Sequence, residues 1–270
     1  MKKIKITSLL LLATLLVNGC SKNTIDDKNI VVGASSTPHA EILKQAKNYI
    51  KEKGYTLEIV EFDDYVMPNK GVMDGSLDAN YFQHLPYLED YNKQNKTDIV
   101  NVGKIHIEPL GIYSKNDTLT NIKQNAKVAI PNDNTNGGRA LRLLEALNLI
   151  EIDSSKKGIV NINDITANPY KLEIVTFEAK ILSSQLDEFN YLVINSNYAL
   201  SSNVDKYLLP NSSEDTSPEG LAGTYANIIA CKKGNENSKA IKILLEALRQ
   251  ENIKEYIDTT YKGAVIYYEV

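Results

Sequence analysis

The sequence contains no tryptophan and, among 270 residues, only two cysteines, three histidines and four phenylalanines. These cysteines and histidines show none of the usual ligand spacings, such as H-E-x-x-H, so no zinc site is indicated. The motifs G-x-S-x-G and G-x-x-x-x-G-K-[ST] are also missing, which argues against two common kinds of enzyme. We therefore expect no catalytic residue, no metal and no other cofactor. The 16 tyrosines are the main aromatic residues available to line a pocket.

An excess of positive charge is also lacking, because 30 lysines and arginines face 34 acidic residues and the formal net charge is −4. Nucleic-acid binding usually needs a basic surface, so we expect no nucleic-acid partner. The longest apolar run is Ile6–Val17, near the N terminus. Its about 12 residues fall well short of the ~20 that a membrane-spanning helix needs, which is typical of a cleaved signal peptide.

The residues around this run indicate a lipid anchor. Three lysines precede it, and Val17-Asn18-Gly19-Cys20 at its end resembles the bacterial lipobox. We expect residues 1–19 to be removed, Cys20 to carry the lipid, and residues 20–28 to tether the fold to the extracytoplasmic face of the cell membrane. Loss of the three lysines takes the formal net charge from −4 to −7. The alternative for Cys20 is a disulfide with Cys231, which otherwise reads as a buried thiol in an apolar strand.

From about Asn29 onward, apolar strand-like segments alternate with helical segments. This rhythm predicts parallel strands covered by helices. The first set consists of strand Ile30–Gly33, helix Pro38–Lys53 with Thr37 as its N-cap, and strand Thr56–Phe62. The remaining predicted helices are Pro68–Gly75, Leu85–Asn95, Gly138–Leu149, Lys180–Phe189, Asn237–Gln250 and Asn252–Tyr261. The remaining predicted strands are Ala79–Phe82, Lys127–Pro131, Leu172–Phe177, Tyr191–Ile194 and Asn227–Lys232, with 201–220 as a surface loop.

One predicted loop has features of an anion site. Residues 132–137, rich in Asn and Gly, lie between a strand and the helix that is predicted to begin at Gly138. Backbone N–H groups at a helix N-terminus favour an anion, and Arg139 in the first turn adds a forked donor that matches a carboxylate. The alternative is an ordinary capping loop with an arginine at the surface.

The segment Asp78–Leu88 reads D-A-N-Y-F-Q-H-L-P-Y-L. It resembles the signature D-A-N-[FY]-F-Q-H-x-P-Y-L of the methionine-binding lipoprotein family (NlpA/MetQ-like), whose members are solute receptors of ABC importers. Further matches follow in order, so that the resemblance covers essentially the whole mature chain. They lie within Gly33–Leu43, Val60–Asn69, Ile130–Leu141, Val193–Ala199 and Tyr225–Ala230.

The resemblance implies an α/β protein with a two-lobed type II periplasmic-binding-protein fold and a ligand cleft between the lobes. Lobe 1 is expected to comprise residues 29–111 and 224–270, and lobe 2 residues 112–223. The implied ligand is L-methionine or a related small molecule, which closes the lobes by binding between them. The monomeric receptor then docks on a permease with ATPase subunits.

The resemblance also implies roles for six residues. Arg139 is expected to bind the ligand carboxylate, and Asn195 and Asn227 to hydrogen-bond the amino and carboxylate groups, because a buried zwitterion needs partners for both charges. Aromatic rings suit a polarizable sulfur. The residues expected to wall the pocket around the thioether are Tyr65, Phe82 and His84.

Each assignment has a structural alternative: core packing for the two aromatics, a satisfied structural histidine for His84, and loop caps for the asparagines. His39 and His106 are interpreted as structural. Gly137, the loop 211–223 and the segment before Asn227 depart from the family pattern, so D-methionine, oxidised methionine and a methionine-containing dipeptide stay open as ligands. A surface-exposed adhesin with the same fold is the functional alternative.

Overall fold

Two main β-sheets organise the computed structural model, which describes residues 28–216 and 222–269. The predicted signal peptide, Cys20 and the tether before Lys28 lie outside the described residues, as do residues 217–221 and 270. In chain order, the described strands are β1 (Asn29–Ser35), β2 (Thr56–Phe62), β3 (Ala79–His84), β4 (Ile99–Ile107), β5 (Gly111–Tyr113), β6 (Lys127–Pro131), β7 (Glu151–Ile152), β8 (Ile165–Ala167), β9 (Glu173–Phe177), β10 (Tyr191–Ile194), β11 (Leu208–Ser213), β12 (Ala226–Lys232) and β13 (Ile266–Tyr267). The described helices are α1 (Glu41–Glu52), α2 (Met67–Asp74), α3 (Leu85–Asn95), α4 (Asn134–Ala146), α5 (Ser196–Ser201), α6 (Ala222–Tyr225), α7 (Lys239–Leu248) and α8 (Glu251–Tyr261).

The first sheet has the strand order β13-β4-β12-β3-β1-β2. Strand β1 pairs in parallel with β2 and β3, whereas β12 is antiparallel to both of its neighbours, β3 and β4. Helices α1, α7 and α8 pack against this sheet and bury side chains such as Leu43, Ile241 and Ile257. Each such burial contributes about 1.5–3 kcal/mol. Cys231 of β12 lies in the same core, where burial raises the pKa of its thiol to about 12 and keeps it a neutral, apolar group.

The second sheet has the strand order β11-β5-β10-β6-β9. Strand β6 is parallel to β9 and β10, and β5 is antiparallel to β10 and β11. Helix α4 buries Leu141 and Leu144 against residues such as Val128 and Val193 of the sheet, as the spacing of its leucines predicts. This sheet and its helices have a core of their own.

The chain passes from the first sheet to the second between β4 and β5, and it is back in the first sheet at β12. It therefore forms two α/β lobes, each built on one of the two sheets. The exact residue bounds of the lobes, 29–111 with 224–270 and 112–223, stay a prediction. Within the described ranges, none of the helices combines the length and hydropathy required to cross a membrane.

Helix α4 begins at Asn134, four residues before the predicted start, so most of the predicted polar loop belongs to the helix. Asp133 is the N-cap, and its Oδ1 accepts a hydrogen bond from the N–H of Asn136 at 2.8 Å. An Asp in this position is a strong helix start signal. The prediction was wrong because the asparagines and glycines that follow have low helix propensity, which tertiary packing overrides.

Three other local predictions were wrong. Thr37 is not an N-cap, because α1 begins at Glu41 and the Thr37 hydroxyl donates to the Glu41 carboxylate at 2.7 Å. The helix predicted at 180–189 is a 3-10 helix, Ala179–Gln185. The predicted loop 201–220 contains β11, an edge strand of two leucines, a proline and three polar residues, whose Ser212 hydroxyl donates to the carbonyl of Ile112 at 3.1 Å. An edge strand can include proline and polar residues because part of it faces water.

Candidate functional site

A cavity with an empty volume of about 320 Å³ lies between the two lobes. It is bounded by the end of β3, by the start of β12, and by the segments that follow β2, β4, β6 and β10. All six residues predicted for the site lie on its wall: Tyr65, Phe82, His84, Arg139, Asn195 and Asn227. The wall also contains five residues that the sequence did not single out: Gln83, Tyr87, Glu108, Asn136 and Asn197.

Asn136 joins the polar part of the wall. Its Oδ1 accepts hydrogen bonds from His84 Nε2, Arg139 Nη1 and Asn195 Nδ2, each at 3.1 Å. Its Nδ2 donates to both carboxylate oxygens of Asp133 at 3.1 Å, which fixes the orientation of the amide. A single amide thus sets the positions of three predicted site residues from both lobes.

His84 is a neutral donor in this arrangement. Its Nδ1 accepts from the N–H of Tyr87 at 3.2 Å, so its proton is on Nε2, which faces Asn136. Burial, and then the nearby charge of Arg139, lower the pKa of His84 to about 3. The ring therefore caps α3 and also donates to Asn136.

Arg139 is held on several sides by groups of the chain itself. Its Nε and Nη2 donate to the two oxygens of Glu214 at 3.0 and 2.5 Å. Nη2 also donates to the carbonyl of Glu108 at 3.1 Å, and the guanidinium lies 4.3 Å from the ring centre of Tyr225. Arg139 and Glu214 are both almost fully buried. The predicted carboxylate binder thus already has an anionic partner, supplied by a loop that the sequence did not connect to it.

Glu108 is a buried carboxylate on the cavity wall. Its Oε1 lies 2.7 Å from His106 Nε2 and 3.2 Å from His39 Nε2, and its Oε2 accepts from the N–H of Asn197 at 2.9 Å. Burial raises the pKa of Glu108, whereas His39, the N–H of Asn197 and the nearby Arg139 oppose that shift. The three donors suit an ionised carboxylate, which can act as a counter-ion for a cation in the cavity.

His39 and His106 support Glu108 as neutral donors. His39 Nε2 faces two acceptors, Glu108 Oε1 and Asn227 Oδ1 at 3.0 Å, so it carries the proton. His106 Nδ1 contacts the Tyr81 hydroxyl, which leaves its Nε2 to donate to Glu108. Burial lowers the pKa of His39 to about 4 and that of His106 to about 3.

The ligand atoms of His39, His106 and Glu108 lie within 4.8 Å of one another, which is close enough to hold a metal ion. However, both Nε2 atoms donate protons to the carboxylate in this arrangement, and a protonated nitrogen cannot be a metal ligand. We therefore interpret these three residues as a hydrogen-bonded cluster.

Asn195 has an acceptor that the described part of the chain leaves free. Its Nδ2 donates to Asn136, but its Oδ1 is buried on the cavity wall without a hydrogen-bond partner. Such a group costs about 1–3 kcal/mol unless a partner satisfies it. The cavity thus offers an unused acceptor near the Glu108 carboxylate and an arginine.

The other part of the wall is aromatic. The ring centre of Tyr65 lies 5.9 Å from those of Phe82 and Tyr87, and the rings of Phe82 and Tyr87 are 6.1 Å apart. The Tyr65 hydroxyl donates to Asn197 Oδ1 at 2.6 Å, so this residue contributes a hydrogen bond as well as an aromatic ring. A ligand with two charged groups at one end and an apolar tail matches this division.

Comparisons with known proteins identify the family of the chain. A family model described as NlpA lipoprotein matches residues 30–268. The methionine-binding lipoprotein MetQ of Bacillus subtilis is 40% identical over an alignment that covers 98% of this chain and 98% of the relative.

Solved structures of similar proteins have the same fold. A lipoprotein from Ruminococcus gnavus has 48% identity and a TM-score of 0.86, covering 90% of this chain and 100% of the other. A nutrient binding protein from Burkholderia cenocepacia, bound to methionine, has 34% identity and a TM-score of 0.82, covering 89% and 100%. The predicted two-lobed substrate-binding fold is confirmed, and the chain belongs to the NlpA lipoprotein family.

Proposed function

We propose that this protein binds L-methionine, or a close methionine derivative, in the cavity between its lobes and delivers it to the permease and ATPase subunits of an ABC importer. The names of the relatives support the ligand and the transport role. Within the site, the observation that carries the proposal is the unpartnered Oδ1 of Asn195, buried on a wall that also contains Glu108 and Arg139. An acceptor left open beside these charges suits the ammonium group of an amino acid.

The polar wall supplies partners for both ends of the zwitterion. We propose that the ligand ammonium donates to Asn195 Oδ1 and is balanced by Glu108. The ligand carboxylate accepts from Arg139 Nη1 and from Asn227 Nδ2, because the Oδ1 of Asn227 already accepts from His39. These contacts satisfy both charges without exposing either to water.

The aromatic wall suits the side chain of methionine. A thioether has no strong hydrogen-bonding group, and sulfur near aromatic rings gains about 0.3–1.5 kcal/mol per contact. Tyr65, Phe82 and Tyr87 form the corresponding surface. His84 is expected to contribute its ring edge, since its nitrogens are engaged with Tyr87 and Asn136.

Closure of the lobes is the step that links binding to transport. Several hydrogen bonds cross between the lobes, including Tyr65 to Asn197 at 2.6 Å and Tyr198 to the carbonyl of Asp63 at 3.0 Å. We propose that the ligand stabilises this closed arrangement by contacting both lobes, and that the closed receptor docks on the permease.

The proposed location follows from the sequence and from the relatives, which are named as lipoproteins. We propose that Cys20 carries the lipid after removal of residues 1–19 and that the monomeric receptor is anchored at the extracytoplasmic face of the membrane. Mass spectrometry of the N-terminal peptide tests this assignment, because the acyl groups add a defined mass to Cys20. Cys20→Ala is the control variant and is expected to be released from membranes.

The ligand proposal is tested by calorimetric titration of the full chain, purified in detergent, with L-methionine. Norleucine, which replaces sulfur by a methylene, serves as the matched ligand for the aromatic wall, and mass spectrometry of co-purified small molecules identifies a ligand without presupposing methionine. A ligand that binds the native state but not the unfolded state also raises the melting temperature. If millimolar methionine produces neither heat nor a thermal shift, the proposal is wrong.

A further inference from the structure

The resemblance implies that the positive charge of Arg139 is available for the ligand carboxylate. The charged groups around the cavity differ from that expectation. Arg139 and Glu108 lie on the wall, and Glu214 pairs with Arg139. The three histidines of the chain are neutral, since burial lowers their pKa values to about 3 or 4. With Glu108 ionised, as its three hydrogen-bond donors favour, one positive and two negative charges surround the ligand, and Asp133, which caps α4 behind Asn136, adds to the negative side.

Glu214 is held in place by hydrogen bonds to the backbone as well as by Arg139. Its backbone N–H donates to the carbonyl of Leu110 at 2.9 Å, and its Oε2 accepts from the N–H of Leu110 at 2.8 Å. Leu110 is fully buried in the segment between β4 and β5, where the chain crosses between the lobes. The carboxylate is thus fixed by three donors at 3.0 Å or less, two on Arg139 and one on Leu110.

This pairing limits what Arg139 offers to a ligand. A guanidinium has five N–H donors. Within the described residues, four of those on Arg139 are used by Glu214, Glu108 and Asn136, which leaves one N–H on Nη1. A single N–H can donate to one oxygen of a carboxylate or to the oxygen of an amide. Because Glu214 makes the net charge of the pair zero, a carboxylate gains less over an amide than it would from an unpaired arginine.

We propose that Glu214 is a specificity-determining residue of this site: it cancels the charge of Arg139, so that the cavity requires the ligand's ammonium group but not a free carboxylate. The site then accepts carboxyl-blocked methionine, of which methioninamide is the simplest case. This inference rests on the proposed function, because it assumes that the aromatic wall binds the methionine side chain.

The test compares three ligands on the full chain by calorimetric titration. Methioninamide keeps the ammonium and loses the carboxylate charge, and 4-(methylthio)butanoate keeps the carboxylate and loses the ammonium. We expect methioninamide to bind within about tenfold of methionine, and the deaminated acid to bind more than about a hundredfold more weakly, because it leaves Asn195 Oδ1 without a partner and the charge of Glu108 unbalanced.

The variant Glu214→Gln keeps the shape of the side chain and removes its charge. Arg139 then acts as a full cation, so affinity for methionine is expected to rise relative to methioninamide, by at least about tenfold in the ratio of the two dissociation constants. Glu145→Gln is the matched control. Glu145 pairs with Arg142 at 2.8 Å on the same helix but does not line the cavity, so its replacement is expected to leave the ratio unchanged.

The possible results separate the two proposals. If methionine binds but wild-type protein rejects methioninamide by more than about a hundredfold, the inference about Glu214 is wrong and the proposed function stands. An unchanged ratio in folded Glu214→Gln protein also overturns the inference. If methionine itself does not bind, the proposed function fails, and the inference fails with it. The wild-type comparison decides the matter even if the variant does not fold.

Discussion

At the scale of single residues, Asn195 makes the sharpest prediction. Asn195→Ala removes the unpartnered Oδ1 together with the Nδ2 hydrogen bond to Asn136. Because these two effects on stability oppose each other, the melting temperature is expected to change little. Loss of a hydrogen bond to a charged ligand group is expected to weaken methionine binding by about 10- to 100-fold. Calorimetric titration and thermal unfolding measure the two effects separately.

Asn168→Ala is the control for this prediction. Asn168 accepts from the N–H of Leu172 at 2.8 Å and donates to its carbonyl at 3.0 Å, in the second lobe and away from the cavity. Its replacement is expected to lower the melting temperature and to leave affinity intact. If Asn195→Ala shows this same pattern, Asn195 is a structural residue and not a ligand contact.

How far the sequence predicts the site also differs from residue to residue. Motif positions identified six residues that the structure brings to one wall, although their contacts with a ligand stay a prediction. The sequence did not identify Asn136, Glu108 or Glu214. Asn136 lies three residues before Arg139 on one helix, which is a local signal that could have been used. Glu108 and Glu214 meet Arg139 only after separate segments come together in the fold, and no local spacing encodes that encounter.

At the scale of secondary structure elements, the close contact between α4 and the end of β6 requires a residue without a side chain at position 137, which can be tested. A Cβ atom at Gly137 would lie 2.8 Å from the carbonyl oxygen of Pro131, a backbone atom that cannot move aside on its own. Gly137→Ala is therefore expected to push α4 outward and to cost about 1–3 kcal/mol of unfolding free energy. Because Asn136 and Arg139 are on this helix, methionine affinity is expected to fall as well.

Gly158→Ala is the matched control, because a Cβ at Gly158 meets no atom within 4 Å. That variant is expected to change stability by no more than about 0.5 kcal/mol and to leave affinity unchanged. Urea unfolding of both variants measures the difference. A Gly137→Ala protein as stable as wild type would show that α4 does not need its close approach to Pro131.

The elements themselves were predictable where burial gives a period, and were missed where it does not. The boundaries of β6, β10 and α3 agree with the prediction because apolar spacing and turn residues mark them. Strand β11 was missed because it contains a proline and three polar residues and is mostly exposed at a sheet edge, so burial gives it no period. Its place is fixed by pairing with β5, which is distant in the sequence.

At the scale of the whole molecule, closure predicts that a residue outside the cavity controls affinity. Tyr198 does not line the cavity, but its hydroxyl donates across the lobes to the carbonyl of Asp63. Tyr198→Phe removes this bond from the closed form only, which is expected to cost about 0.5–1.5 kcal/mol and to weaken methionine binding about 2- to 10-fold. Small-angle scattering is expected to show a larger radius of gyration without ligand.

Tyr191→Phe removes an equivalent bond within one lobe, since the Tyr191 hydroxyl donates to the carbonyl of Thr118 at 2.9 Å. It is expected to reduce stability without changing affinity. Equal affinities for the two variants would mean that the Tyr198 bond does not contribute to closure.

The three buried histidines predict how the molecule responds to acid. Burial lowers the pKa values of His39, His84 and His106 from an unfolded value of 6.5 to about 4, 3 and 3. Below about pH 6.5 the unfolded chain therefore binds protons that the folded chain does not, and stability falls as the pH falls, until the folded pKa values are reached. Three protons give a slope of at most about 4 kcal/mol per pH unit.

Glu108 has the opposite effect on stability as the pH falls. Burial raises its pKa, so its carboxylate takes up a proton at a higher pH in the folded state than in the unfolded state. The acidic residues whose pKa values are lowered in the fold, such as Asp117 and Asp164, lose their contribution only at lower pH. From pH 7.5 to pH 5 the three histidines outnumber Glu108, so the expected net effect is a loss of stability. Urea unfolding is expected to show a midpoint that falls steadily across this interval with an unchanged m-value. A constant midpoint would mean that the histidines are also charged in the folded protein, and His84 Nδ1 could then not accept a hydrogen bond from the N–H of Tyr87.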